Sequence, residues 1–442
     1  MNYYIDTFGC QMNVHESEGI EGVLQMSGYQ KTDDQSKADL IIFNTCCIRQ
    51  SAENRVYGNI GALKTLKKTN PQLIIAIVGC MASKIGMVEK IQKSYPFVDI
   101  ILGTGRMNRI VESVNDVKNG LKVYDTSTQQ GEEHDETFLR QEGVSAWVSI
   151  TQGCDKYCTY CIVPYVRGRE ISRDSQKIIE ECKDLLTKGY KEITLLGQNV
   201  DSYKHNGIDF ADLLGQIDNL GYKFRLKYMT SHPIDFNNKV IDTIAKSKNI
   251  AHNVHLPLQA GSDKVLKFMN RKYTAEYYLD RVARLRIALP QVSMTTDIMV
   301  GFPGETDEDF QKTIDIIKQV RFSNIYSFIY SAREGTPAAK MDNKIDIATK
   351  RARIKQLLEV QNQIAREIAE QQVGKTTEIL CTQTAPTLIG KTRDDKIVTM
   401  NNANLQLGQF ATVKIMGTKN SGLIAELLHH PNQLAKEIEQ AV

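Results

Sequence analysis

No apolar run in the chain approaches ~18 residues, so no membrane-spanning helix is expected. There is no low-complexity tract. There is also no cationic-then-apolar leader: Met1-Asn2-Tyr3-Tyr4-Ile5-Asp6 runs straight into a strand pattern, and export is not expected. Net charge is small, +3 over 442 residues. A charge that small makes no case for a nucleic-acid partner, which must rest on local basic patches. The 41% hydrophobic and 24% charged residues are ordinary for a soluble globular protein. A chain of this length holds about two to four domains with substantial cores.

Cysteine is what stands out. Nine cysteines without a leader point to a reducing compartment, the cytoplasm. Clustered cysteines there act as ligands rather than disulfides. Cys154, Cys158 and Cys161 sit in one run, Gly153-Cys154-Asp155-Lys156-Tyr157-Cys158-Thr159-Tyr160-Cys161. Three thiolates so spaced can hold a 4Fe–4S cluster and leave one iron open to a small molecule. A structural zinc site wants four closed ligands, and no fourth Cys or His lies close by. The spacing, just after a strand at Trp147–Thr151, is the signature of radical S-adenosylmethionine (SAM) enzymes.

Upstream, strands and helices alternate. Strands are expected at Tyr3–Phe8, Leu40–Asn44 and Leu73–Val78, with helices at Ser17–Met26 and Ser51–Lys68. Such βα units imply a parallel sheet, whose ligands gather at the C-terminal strand ends. Cys10, Cys46 and Cys80 all fall there, which suggests a second cluster. Gly9 and Gly79 would let the backbone turn sharply beside them. Cys47 follows Cys46, but neighbours in an extended segment point opposite ways. Cys182, in an expected helix, and Cys381, in an expected strand, read as non-ligand thiols.

An acidic stretch, Ser127–Glu142, reads as a linker. Six βα units follow, with strands at Val148–Thr151, Ile193–Leu196, Phe224–Tyr228, Val254–Leu256, Thr296–Val300 and Ile325–Tyr330. Helices lie between them, as at Ser175–Lys188, Tyr277–Ala288 and Asp307–Val320. Six units fit a partial (β/α)6 barrel, open on one side. Gln259, Ser262 and Glu305 lie at later strand ends, the usual place for barrel sites. Alternating Tyr326, Phe328 and Tyr330 read as core packing rather than base stacking. An amphipathic helix, Asp346–Gln371, carries Ile354, Leu357, Leu358, Ile364 and Ile368 on one stripe. Beyond Gly374, short strands (Thr377–Thr382, Leu388–Thr392, Ile397–Met400, Ala411–Ile415, Ile424–Leu428) read as a small antiparallel β-barrel. The fold class is thus α/β multidomain.

The chain resembles the methylthiotransferase family of radical SAM enzymes, in particular its MiaB-type members. Gly9-Cys10-Gln11-Met12-Asn13, Asn44-Thr45-Cys46, Val78-Gly79-Cys80 and Cys154 through Tyr165 carry the resemblance. So do Arg167-Gly168-Arg169-Glu170, Gly197-Gln198-Asn199, Ser231-His232-Pro233, His255 through Asp263 and Gly301 through Thr306. It implies an N-terminal methylthiotransferase domain (1–120), a radical SAM core (140–371) and a C-terminal TRAM domain (373–436). It implies two 4Fe–4S clusters, an auxiliary one on Cys10, Cys46 and Cys80 and one that binds SAM on Cys154, Cys158 and Cys161. Tyr160 would pack near the SAM adenine. Gly197, Gln198 and Asn199 would contact the amino-acid part of SAM, or form an ordinary strand-end turn.

The implied activity is radical SAM-dependent methylthiolation at C2 of N6-isopentenyladenosine 37 of tRNA. Flavodoxin or ferredoxin would supply electrons, and the enzyme would work as a monomer with no membrane partner. Family rivals act on a ribosomal-protein aspartate or on threonylcarbamoyladenosine. A non-catalytic iron–sulfur RNA-binding protein is the rival from another class. Arg167, Arg169 and Arg173 form a basic run that suits either phosphate contact or a solvated loop. Lys391, Arg393, Lys396, Lys414 and Lys419 of the small barrel are candidate RNA contacts.

Overall fold

The computed structural model describes residues 1–47, 50–128, 138–140, 143–401 and 404–429. Of the expected linker, 129–137 and 141–142 lie outside the described residues, as do 430–436 of the expected third domain.

The N-terminal part is a six-stranded parallel sheet. Its order is Gln30–Lys31, Asn2–Phe8, Leu40–Thr45, Ile74–Gly79, Ile100–Leu102 and Val123–Asp125. Every residue of Leu40–Thr45 and Ile74–Gly79 is buried. That continuous apolar pattern belongs to strands covered by helices on both faces. Separate cores lie on the two faces, one around Phe43 and Ile77, the other around Tyr3 and Ile42. The strands at 100–102 and 123–125 were not expected, because three-residue apolar runs carry no period. The first helix, Gln11–Met26, begins six residues before the expected Ser17. Asn13 accounts for this: its Oδ1 accepts from the Cys10 backbone N–H at 3.3 Å and caps the first turn.

The central part has six parallel strands, close to those expected, in two sequential triplets. Ser145–Ser149, Glu192–Leu196 and Arg225–Tyr228 form one. Asn253–His255, Ser293–Val300 and Asn324–Ile329 form the other. A parallel bridge between Leu226 and Ile250 links them, and one apolar core runs beneath both. Tyr326 and Phe328 are not core residues: they are 51% and 42% exposed, and only Tyr330 is buried. Asn324–Ile329 is the last strand of its triplet, and among the described residues no strand pairs beyond it. Tyr326 and Phe328 thus project from a sheet face that the described residues leave largely uncovered.

The helix Ile347–Glu370 packs Leu357 and Ile364 into the central core, while Leu358 points outward. The C-terminal strands Thr376–Gln383, Leu388–Thr392, Ile397–Met400, Gly422–His429 and Phe410–Lys419 close into a five-stranded barrel. Closure removes the exposed edges such short strands would otherwise present. The barrel is tied to the central sheet by Arg225–Glu378 at 2.7 Å, Lys227–Asp395 at 2.8 Å and Lys391–Glu192 at 3.3 Å. No described helix is long and apolar enough to cross a membrane.

Candidate functional site: two cysteine sets joined by one short helix

Pairing register brings the first cysteine set together. Phe8 lies opposite Thr45, and Thr45 opposite Gly79, so Cys10, Cys46 and Cys80 leave three adjacent strands at one edge. Gly79 has φ +94, and a Cβ there would meet Asn44 Oδ1 at 2.6 Å and the Thr45 carbonyl at 2.8 Å. Only glycine allows the turn into Cys80. Cys46, Cys47 and Cys80 are buried, while Cys10 is exposed at the helix start. Asn13 links the set: its Oδ1 accepts from Cys10 Sγ at 3.4 Å, and its Nδ2 donates to Asn44 Oδ1 at 3.0 Å. Cys47 and Cys80 bias each other's protonation. The neighbouring Cys47 thiol holds Cys80 below the ordinary thiol range against the effect of burial, and the Arg167 guanidinium adds to it. The same contact raises Cys47.

The second set occupies the loop after Thr151–Gln152. Gly153 takes φ +79, and a Cβ there would collide with the Arg169 carbonyl. Its N–H donates to Gln198 Oε1 at 2.6 Å. Cys161 N–H donates to the Cys158 carbonyl at 2.9 Å, and Thr159 is held by the Met269 carbonyl at 3.1 Å. Arg271, which sequence reasoning did not single out, donates from Nη1 to Cys158 Sγ at 3.4 Å and from Nη2 to the Pro257 carbonyl at 3.2 Å. Burial pushes the Cys154 thiol up to about 11. Burial also pushes Cys161 up to about 12, with the Cys158 sulfur adding to it. Three thiolates this close repel one another, so the set favours a cationic centre that binds them.

The chemistry of both donor sets suits iron–sulfur clusters. Neither is preformed for a single ion: among the described residues, no three His, Cys, Asp or Glu side chains are grouped to hold one.

The expected SAM contacts lie beside the second set. Gln198 reaches it through Gly153. Asn199 is buried, donates to Asp235 Oδ2 at 2.7 Å and has an unpartnered Oδ1. Asp235 also pairs with Lys156 of the cysteine loop at 2.6 Å. Gly197 closes on Thr151, where no Cβ would fit. Tyr160 meets Phe302 edge-on, ring centroids 6.4 Å apart. Glu305 is engaged by Arg353 and the Gly301 N–H, Ser262 by Asp309, and Gln259 by backbone bonds to Asp297 and Met299. The side chains of Glu305 and Ser262 are thus engaged within the fold, while for Gln259 the bonds are those of its backbone.

One short helix joins the two sets. Val163–Arg167 starts two residues after Cys161. Ile162 and Val166 belong to the N-terminal core, and Thr104 Oγ1 donates to the Val166 carbonyl at 2.8 Å. Arg167 is buried and donates from Nε to Cys80 Sγ at 3.1 Å, so neither a phosphate contact nor a solvated loop describes it. Proline at the second helical position and glycine after the last turn the chain so that Arg167 faces the other domain. Arg169 is exposed and pairs with Asp155 at 2.8 Å. Arg173 pairs with Glu181 at 2.9 Å. Of the barrel cations, Lys391, Arg393 and Lys396 are engaged by Glu192, the Ile250 carbonyl and Asp394. Lys414 and Lys419 are exposed.

A parallel α/β core with a three-cysteine loop at its first strand end defines a radical SAM protein. The profile of the Radical SAM superfamily matches residues 148–317, and that of Uncharacterized protein family UPF0004 matches residues 2–103. A tRNA-2-methylthio-N(6)-dimethylallyladenosine synthase of Clostridium botulinum (strain Langeland) is 43% identical over 437 residues, covering 96% of each chain. The synthase of the same name from Alkaliphilus oremlandii is 44% identical, covering 96% of this chain and 92% of its own. The chain belongs to the tRNA-2-methylthio-N(6)-dimethylallyladenosine synthase family. Among solved structures, the radical S-adenosylmethionine methyltransferase TsrM of Kitasatospora setae shares the fold, with TM-score 0.58 and 13% identity over 76% of this chain and 77% of its own. The cobalamin-dependent radical enzyme OxsB matches with TM-score 0.55 and 13% identity, over 72% of this chain and 51% of its own.

Proposed function

We propose that this chain is a tRNA methylthiotransferase, placing a methylthio group on C2 of N6-isopentenyladenosine 37. Near-full-length identity to synthases of that name supports the tRNA substrate. The observation that carries the chemistry is the pair of three-cysteine sets, joined through the helix from Cys161 to Arg167.

On this reading Cys154, Cys158 and Cys161 hold the SAM-binding 4Fe–4S cluster, and Cys10, Cys46 and Cys80 hold the auxiliary one. When bound, these groups supply the electron that cleaves SAM and the sulfur that is methylated and transferred. The protein supplies placement. Gly153 and Gln198 shape the loop beside SAM, Asn199 offers its free carbonyl oxygen to the amino-acid part, and Tyr160 lies at the adenine. Arg271 holds Cys158 from the far side. The two triplets act as one open six-stranded barrel, with the target base everted between the cysteine sets.

Residues 1–120, 140–371 and 373–436 are the methylthiotransferase, radical SAM and TRAM domains, and the exposed Lys414 and Lys419 of the last meet RNA. Each chain carries both cysteine sets, and on this reading the enzyme works as a monomer. It works in the cytoplasm, where its tRNA is, with a flavodoxin or ferredoxin as electron donor.

The test is an anaerobic assay with reconstituted clusters, SAM, reductant and tRNA bearing isopentenyladenosine 37, read by mass spectrometry of digested nucleosides. The methylthio nucleoside is expected. Cys158→Ala should abolish SAM cleavage. Cys80→Ala should keep uncoupled cleavage and lose product. Methylthio product retained by either variant would sink the corresponding assignment.

A further inference from the structure

Arg167 is 3% exposed. Two of its three nitrogens are engaged: Nε on Cys80 Sγ at 3.1 Å and Nη1 on Glu16 Oε1 at 2.6 Å. Nη2 is buried and has no partner among the described residues. A buried unmet donor is costly, more so on a charged group. The arrangement around it is built rather than incidental. Glu16 also accepts from Asn13 Nδ2 at 3.3 Å, and Asn13 Oδ1 accepts from Cys10 Sγ at 3.4 Å. One bonded chain thus runs from the guanidinium through Glu16 and Asn13 to Cys10. The arginine's backbone is pinned by Val166 in the N-terminal core.

We propose that Arg167 is the anion-binding residue of the auxiliary sulfur site: Nε fixes the Cys80 sulfur, and the open Nη2 receives a small anionic sulfur species bound there. The proposal rests on the two-cluster reading. A guanidinium is a rigid planar fork. With one nitrogen on Cys80 and another on Glu16, the third keeps a set direction within the cysteine site. Glu16 compensates the cation's charge and holds the fork. The iron that Cys10, Cys46 and Cys80 would hold is thiophilic, and that makes thiolate or sulfide, rather than a carboxylate or phosphate, the matching ligand beside Nη2. The residue belongs to the SAM core, so the core completes a site whose cysteines all come from the other domain.

The test uses the full chain carrying Cys154→Ala, Cys158→Ala and Cys161→Ala, reconstituted so that iron enters the auxiliary site alone. Its midpoint potential is measured, and its spectrum is titrated with hydrosulfide and with methanethiolate, each alone. Arg167→Gln is expected to move the potential to more negative values, because a positive charge beside the cluster is lost. It is also expected to weaken both anions about tenfold or more. Arg167→Lys restores the charge without the fork, so it should bring the potential back while leaving anion binding weak. Unchanged anion affinity in Arg167→Gln would overturn the proposal, whether or not the potential moves. Should Arg167→Gln hold no iron, Arg167→Lys decides alone, weakened anion binding supporting the proposal and full affinity overturning it. A parent that binds no iron overturns the two-cluster reading itself, a result distinct from the other two.

Discussion

Cys47, one residue beyond the strand-end position of Cys46, neighbours Cys80, and each biases the other's protonation: Cys80 is held below the ordinary thiol range and Cys47 above it. Cys46 and Cys47 are both buried at the same edge, and neighbours in an extended segment point opposite ways, so only one of them is expected to reach the site. On the two-cluster reading Cys46 is the ligand and Cys47 the protonated neighbour of Cys80. Cys47→Ser keeps a donor and should retain about eight irons per chain, whereas Cys46→Ser should fall to about four. Iron and sulfide quantification decides. Loss of half the iron in Cys47→Ser, with Cys46→Ser intact, would reverse the assignment.

Arg271 touches the other set directly, through Cys158 Sγ at 3.4 Å. A buried cation there stabilises added negative charge. Arg271→Gln should make the SAM-binding cluster harder to reduce and slow 5′-deoxyadenosine formation about tenfold, the effect of one charge-assisted hydrogen bond. Chromatographic assay of 5′-deoxyadenosine without tRNA measures this apart from substrate binding. An unchanged rate would make Arg271 a packing residue.

Much of this architecture was legible in the sequence, and the reasons differ by element. Long apolar strands such as Leu40–Thr45 and the alternating barrel strands carry their own period, and their expected bounds fall within a few residues. The placement of the six cysteines, three at adjacent strand ends and three in one loop, was legible because strand-end position and close spacing are sequence properties. Arg167 was not. Its local pattern is that of any basic loop, and its burial depends on a different domain supplying Glu16 and Cys80. Tyr326 and Phe328 failed for the opposite reason. Alternation marks one face of a strand but does not say whether anything covers it.

That open face gives a prediction about substrate. Met299 pairs with Phe328 and Asp297 with Tyr326, and His255 meets the Tyr326 ring edge-on at 5.7 Å. Exposed rings beside a sheet can stack a base, worth about 1–3 kcal/mol per base by alanine substitution. Phe328→Ala and Tyr326→Ala should each raise KM for isopentenyladenosine-bearing tRNA about fivefold to a hundredfold. Uncoupled SAM cleavage should be unaffected. Steady-state kinetics over a tRNA series checks this, and unchanged KM in both variants would remove the face from the substrate path.

Asp201 sets a pH dependence of stability. It is buried, accepts from the His232 N–H at 3.0 Å and from Ser231 Oγ at 3.3 Å, and burial pushes its carboxyl up from the usual 3.8 to about 8. The folded protein therefore keeps this proton over a range in which the unfolded chain has lost it. Such a group favours the fold fully only below the unfolded value. Its contribution declines as pH rises from about 4 toward 8, and above about 8 both states are ionised and the penalty is constant. Asp201→Asn cannot ionise, yet can accept from His232 and donate to Ser231. The variant should be more stable than the parent at pH 8 by a few kcal/mol, several degrees in Tm, and the gap should narrow steadily toward pH 4. Paired thermal melts at four or five pH values measure the gap directly. A gap that stays constant across the range would mean that Asp201 is already ionised in the folded protein at low pH, and that its two hydrogen bonds outweigh the cost of burying it.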